Sequence, residues 1–279
     1  MIVVAIVIGV FGSLIGSFLN VVVYRVPLKQ SIVSPPSACP RCGALIRGYD
    51  NIPMLSWLLL RGRCRSCSAP ISRRYPLVEL GTALFFAAVA WWWLGADLVG
   101  ASGESASGGT FAARILVLVA FLYLAAVSVA LALIDIDTHT LPNRLVLPSY
   151  IVGAALLAAA GIVVGNFGAL ISAGIGCAAL FVLYAILAIV RPGGMGLGDV
   201  KLAGVLGLFL EFLGWPQLVV GAFAAFLLGG LYAIALLALR RAKRGSGIPF
   251  GPWMLGGAWV GIFFGNIIMN GYLSLVGLA

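Results

Sequence analysis

Apolar residues run along this chain in long blocks, and polar residues gather at the joints between them. Met1–Tyr24 and Ile115–Ile134 carry no charge, and neither do Phe212–Leu239 and Gly245–Ala279. Leu145–Val190 is uncharged over 46 residues, with a break near Gly165–Gly168. About 20 apolar residues of helix cross the hydrocarbon core of a bilayer. The pattern therefore predicts eight spans, at about 2–24, 77–94, 112–135, 145–164, 168–190, 200–214, 217–239 and 251–276. The sixth is short. The first run lacks the basic flank and the small-residue cleavage site of a secretory signal, so it is expected to stay as a span.

Composition excludes a soluble globular class. Of 279 residues, 62% are hydrophobic and 9% charged, against roughly a quarter charged in soluble domains. The fold class expected is an all-α polytopic membrane protein. Charge then orients it. Arg25 to Arg74 holds nine of the 17 basic residues against Asp50 alone, and Arg240, Arg241, Lys243 and Arg244 form a second cluster. Gly95–Thr110 carries only Asp97 and Glu104. By the bias of lysine and arginine toward the inside, both basic loops face the cytoplasm. Both chain ends then fall outside.

The first basic loop, 25–76, holds Cys39 and Cys42 as one C-x-x-C pair and Cys64 and Cys67 as another, 21 residues apart. Each pair is followed by glycine or serine. This spacing matches a structural zinc with four cysteine ligands, and a cytoplasmic placement argues against disulfides. So few residues make too little core to fold alone, which a metal staple would remedy. Aromatics are few and stretches such as "IPMLSWLLL" favour the membrane surface, so nucleic acid is not an expected partner. Cys177 reads as a packing residue within a span.

Two acidic sites carry the candidate chemistry. The third span ends "LALIDIDTHTLPN", with Asp135 and Asp137 at the inner boundary; residues two apart do not share a helix face, so only one points inward. The sixth span opens "GGMGLGDVKLAG". From Asp199 to Gly214 is 16 residues, or about 24 Å of helix, which brings Asp199 into or close to the hydrocarbon. Capping its helix is one use of such an aspartate, yet capping leaves the glycines and the second acidic site unexplained. Ionisable groups in a membrane mark function. Paired carboxylates supply an acid and a base for attack of water on a peptide carbonyl. A transporter with a regulatory zinc loop is the competing use, although its acids belong nearer the midplane.

Together, "GSFLNVVVYR" (Gly16–Arg25), the tetracysteine loop with "NIPMLSW", "RRYPLVEL" (Arg73–Leu80), "IDIDTHTLPN", "GMGLGDVKLAG" and "IPFGP" (Ile248–Pro252) resemble the bacterial type IV prepilin peptidases. The G-x-G-D element, with Gly196 and Gly198 before Asp199, is shared with the wider group of intramembrane aspartyl proteases. The tetracysteine loop is similar to that of the bifunctional bacterial branch. The resemblance selects Asp135 over Asp137 and pairs it with Asp199 as the catalytic acids. It implies cleavage of the basic leader of prepilins and type II secretion pseudopilins after a glycine, on the cytoplasmic face of the inner membrane. It further implies N-methylation of the new terminal residue, usually phenylalanine, from S-adenosylmethionine, with the Gly62 turn as the candidate donor region. One departure is Pro142-Asn143, where the family often has Pro-Asp. The organisation expected is a first span at 1–24, a methyltransferase-associated loop at 25–76 and a protease core at 77–279. A protease lacking the transferase activity is the other reading.

Overall fold

A computed structural model describes residues 1–95, 108–190, 195–240 and 249–278. The acidic loop with Asp97 and Glu104, the glycines Gly193 and Gly194, and Arg241, Lys243 and Arg244 of the second basic cluster lie outside the described residues. The chain is helical: α1 (Ile2–Arg25), α2 (Leu55–Leu59), α3 (Arg74–Gly95), α4 (Gly108–Thr138), α5 (Asn143–Val163), α6 (Phe167–Val190), α7 (Leu197–Leu213), α8 (Trp215–Ala238) and α9 (Gly251–Leu275). Each of the eight expected spans has its helix. Seven are long and apolar enough to cross a membrane, and α7, at 17 residues, is the exception. The chain is a multi-pass membrane protein.

Contacts divide the chain into two units, residues 1–96 with 121–130, and residues 97–120 with 131–279. In the first, α1 packs along α3. Gly9, Gly12 and Gly16 recur along one side of α1 and let the backbones approach. A Cβ at Gly12 would stand 2.7 Å from the Phe86 Cβ, and one at Gly16 would stand 2.8 Å from the Glu79 Cα. Small residues at such spacing are how helices gain contact where lipid offers no hydrophobic drive.

The second unit is built around α7, which contacts α5, α6, α8 and α9. Its residues Leu202 to Phe212 are buried without a break. A helix covered on all sides answers to protein rather than to lipid, so its length, about 25 Å at 1.5 Å per residue, need not match the bilayer. Close approach is again glycine's work. Gly207 of α7 meets the Gly176 carbonyl of α6, while Gly257 and Gly261 of α9 lie on Ala225 and Gly221 of α8. The shortness of the sixth span has its reason here: α7 is covered by its neighbours, and Asp199 sits in its first turn.

Candidate active site and metal centre

Helix α4 carries a buried stripe at Phe121, Leu124, Ser128, Leu131, Ile134 and Asp135, the three-and-four spacing of one helix face. Asp135 ends that stripe and is 4% exposed, whereas Asp137 is off it and exposed. The helix runs through Thr138, three residues past the expected boundary, and stops as His139 takes a left-handed φ of 52°. Leu141 and Pro142 then lead into α5.

Asp199 is half-buried at the third position of α7. Its Oδ2 accepts the backbone N–H of Gly196 at 3.0 Å, so the side chain reaches back over the helix start. Such a bond satisfies one of the donors left open at a helix N-terminus. Capping is thus one of its tasks.

Asp135 is held in the same manner from another part of the chain. Its Oδ2 accepts the N–H of Gly251, the first residue of α9, at 3.0 Å. The turn after α4 joins these pieces. A Cβ at Gly198 would stand 3.0 Å from the Leu141 Cβ, and one at Gly251 would stand 3.2 Å from Leu141 Cδ2. Leu141 therefore lies against both glycines, and Asp135 and Asp199 are within electrostatic reach of each other. His139 is within such reach of Asp135, and Tyr184 of Asp199. A second tie crosses from α5 to α7: Lys201 donates its Nζ to Asn143 Oδ1 at 3.2 Å, and the Tyr150 hydroxyl donates to the Lys201 carbonyl at 2.6 Å. Two carboxylates 64 positions apart in sequence thus come within electrostatic reach of each other, each with one oxygen fixed by a backbone amide at the start of a helix.

Gly251 had no assigned role in the sequence, although it lies in "IPFGP". The legible signal was Pro252 at the first helical turn, which marks a helix start with unpaired amides. A Cβ at Gly251 would stand 2.7 Å from Asp135 Oδ2. Gly251→Ala is expected to turn that carboxylate away and cut peptidase turnover by about 10²-fold, the scale of a misplaced catalytic group, with little loss of thermal stability. Turnover within a factor of two of the parent's, against about 10²-fold, would show that the amide does not aim Asp135.

In the other unit, the two cysteine pairs form matching knuckles. Gly43 N–H donates to the Cys39 carbonyl and Ser68 N–H to the Cys64 carbonyl, each at 2.9 Å. Cys39 N–H returns to Ala44 and Cys64 N–H to Ala69. Gly43 and Ser68 both take positive φ, 70° and 56°, which accounts for glycine or serine after each pair. The four Sγ atoms lie within 4.8 Å of one another. Sulfurs about 2.3 Å from a zinc ion stand about 3.8 Å apart on a tetrahedron, and the Cys39 and Cys67 sulfurs are 3.8 Å apart.

The thiols also show why a cation suits them. The backbone amides of Cys42 and Arg41 hold Cys39 down to about 6. Cys67 is pushed up to about 11: the Ala69 amide favours its thiolate, but the sulfurs of Cys42, Cys64 and Cys39 and some loss of solvation outweigh it. Four thiolates this close repel one another, and a divalent ion at their centre removes the conflict. The four cysteines are a cluster able to hold a metal ion.

Known proteins share both halves. Residues 10–93 match the bacterial peptidase A24 N-terminal domain, and residues 122–234 match the type IV leader peptidase family. A protein of Aeromonas salmonicida named prepilin leader peptidase/N-methyltransferase is 36% identical over 292 residues, covering 95% of this chain and 92% of its own. The chain belongs to the type IV leader peptidase family. A Pseudomonas aeruginosa member of the same name is 36% identical with the same coverage, and one from Myxococcus xanthus is 40% identical over 84% of this chain and 63% of its own. No solved structure matches.

In this leader peptidase family member, Gly62 has a local reason to be glycine. Its φ is 68°, and a Cβ would stand 2.8 Å from Trp57 Cζ2. Its carbonyl accepts Ile71 N–H at 2.7 Å, while Trp57 Nε1 donates to the Ile71 carbonyl at 3.2 Å. The indole thus fills the space beside Gly62 and straps the second knuckle.

Proposed function

We propose that this enzyme cleaves the basic leader of type IV prepilins and type II secretion pseudopilins after a glycine, then N-methylates the exposed residue, usually phenylalanine. Asp135 and Asp199 carry the first reaction, within a protease core at 77–279. Gly196 and Gly198 shape the start of α7. The observation behind this reading is a pair of carboxylates within electrostatic reach of each other, each with one oxygen fixed by a backbone amide.

Carboxylates so placed avoid ionising together, and one proton is held between them. The ionised member takes a proton from water as its oxygen attacks the scissile carbonyl carbon, and the protonated member gives its proton to the carbonyl oxygen. Breaking the C–N bond then returns a proton to the leaving amine. The new amino terminus is the substrate of the second reaction, so cleavage comes first.

The tetracysteine segment, 25–76, serves that second reaction. A zinc ion held by Cys39, Cys42, Cys64 and Cys67 would supply a rigid frame, with all four positions taken and none open for substrate. S-adenosylmethionine supplies an electrophilic methyl group when bound. Trp57 already fills the space beside Gly62, so the donor is not assigned to that point. The enzyme sits in the bacterial inner membrane with the aspartates toward the cytoplasm, a placement that the positive charge of the basic loop supports.

A basic loop cannot attract a basic leader. Recognition therefore rests on the pilin's apolar helix entering from the bilayer. Truncating that helix is expected to abolish cleavage while short leader peptides fail to compete; unimpaired cleavage would overturn this. The function itself is tested by incubating purified enzyme in lipid with a prepilin and reading the mass of the product. The expected product has lost its leader and gained one methyl group. A shortened, unmethylated product would leave a protease alone, and intact prepilin would overturn the reading.

A further inference from the structure

Helix α2 is built inside out for a helix in water. Leu55, Leu58 and Leu59, at the spacing of one helix face, are 58%, 62% and 83% exposed. The polar Ser56 is buried, its hydroxyl donating to the Tyr49 carbonyl and accepting from the Ile52 N–H. A helix in water turns its apolar face to a core and its polar face out; this one does the reverse.

The position of α2 shows what meets the leucines. Met54, the residue before α2, donates its N–H at 2.7 Å to Oε2 of Glu79. Glu79 is buried and lies five residues past Arg74, the first residue of the apolar span α3, which is about 7.5 Å along that helix. The bond draws the start of α2 level with a point inside α3. Arg61 and Arg63, both exposed, follow the leucines in the chain, and the exposed Arg73 directly precedes α3.

We infer that α2 is a wedge in the membrane boundary, its Leu55, Leu58 and Leu59 face among the acyl chains of the bilayer that carries the protein and Arg61 and Arg63 on anionic headgroups. Apolar side chains at that depth, flanked by cations, match how interfacial helices bind lipid. The inference needs only α1 and α3 as spans and holds whichever reaction the enzyme performs.

The test uses the intact enzyme in nanodiscs whose lipids carry a photoactivatable group on the acyl chain, with adducts mapped by mass spectrometry. Adducts are expected on residues 55–59 as they are on the exposed Leu77 and Leu84 of α3, and severalfold fewer when phosphatidylglycerol is replaced by phosphatidylcholine. A variant combining Leu55→Gln, Leu58→Gln and Leu59→Gln should lose these adducts and become open to protease there, while keeping the parent's zinc content. An α2 without lipid adducts beside a labelled α3 would overturn the wedge. So would cross-links from α2 to a second copy or to added prepilin in place of lipid. Equal labelling in both lipids would overturn the role of the arginines.

Discussion

Asp135→Asn and Asp199→Asn are each expected to lower prepilin cleavage by about 10²–10⁴-fold, the range for loss of a positioned acid or base, while leaving the folded protein in the membrane. The amide retains an oxygen that can accept from Gly251 in one case and Gly196 in the other, so the ties that orient the site survive. What goes is the ability to take or give a proton. Asp137→Asn should stay close to the parent's rate, because that side chain is exposed and off the buried stripe of α4. The parent should also lose activity on both sides of a pH optimum, since the pair works with a single proton and fails with two or with none. Cleavage assays across pH, with thermal unfolding as the control for folding, decide it. Near-normal cleavage by Asp199→Asn would defeat the mechanism, and loss confined to Asp137→Asn would move the site to the other member of the pair.

Much of this was legible because a bilayer constrains sequence so strongly. Uncharged runs gave six of the eight spans, the other two carrying Glu79 in one and Lys201 and Glu211 in the other, and the C-x-x-C spacing marked both knuckles. Helical spacing alone could not choose between Asp135 and Asp137, because the register of α4 is set by what it packs against. The stripe from Phe121 to Ile134 settles that register. Gly251 was harder still. Its part depends on α9 starting beside the end of α4, a pairing across 116 positions that leaves no local periodicity. Gly62 shows the converse: a glycine that reads as room for a ligand is occupied by Trp57 of the same segment. A missing side chain in a sequence does not say which neighbour takes its place.

That last point yields the sharpest division between the two activities. Gly62→Val puts a β-branched residue at a φ of 68°, a genuine outlier for such a side chain, and drives its Cβ into the Trp57 ring. The indole must leave, and with it the bond to Ile71 that straps the second knuckle next to Cys64. The variant is expected to hold less zinc, to expose residues 25–76 to protease and to lose methylation. Cleavage should continue, because Asp135, Asp199 and Gly251 belong to the other unit. The aspartate variants should behave in the opposite sense: unable to cleave, they should still methylate a pilin supplied already shortened. Cleavage requires a carboxylate pair at the scissile bond, and methylation requires only a free amine and the donor, so neither chemistry needs the other's groups. If folded Asp135→Asn failed to methylate shortened pilin, the two reactions would have to share one site. If Gly62→Val lost cleavage as fully as methylation, the tetracysteine segment would be part of the peptidase itself, and the division of labour would be wrong.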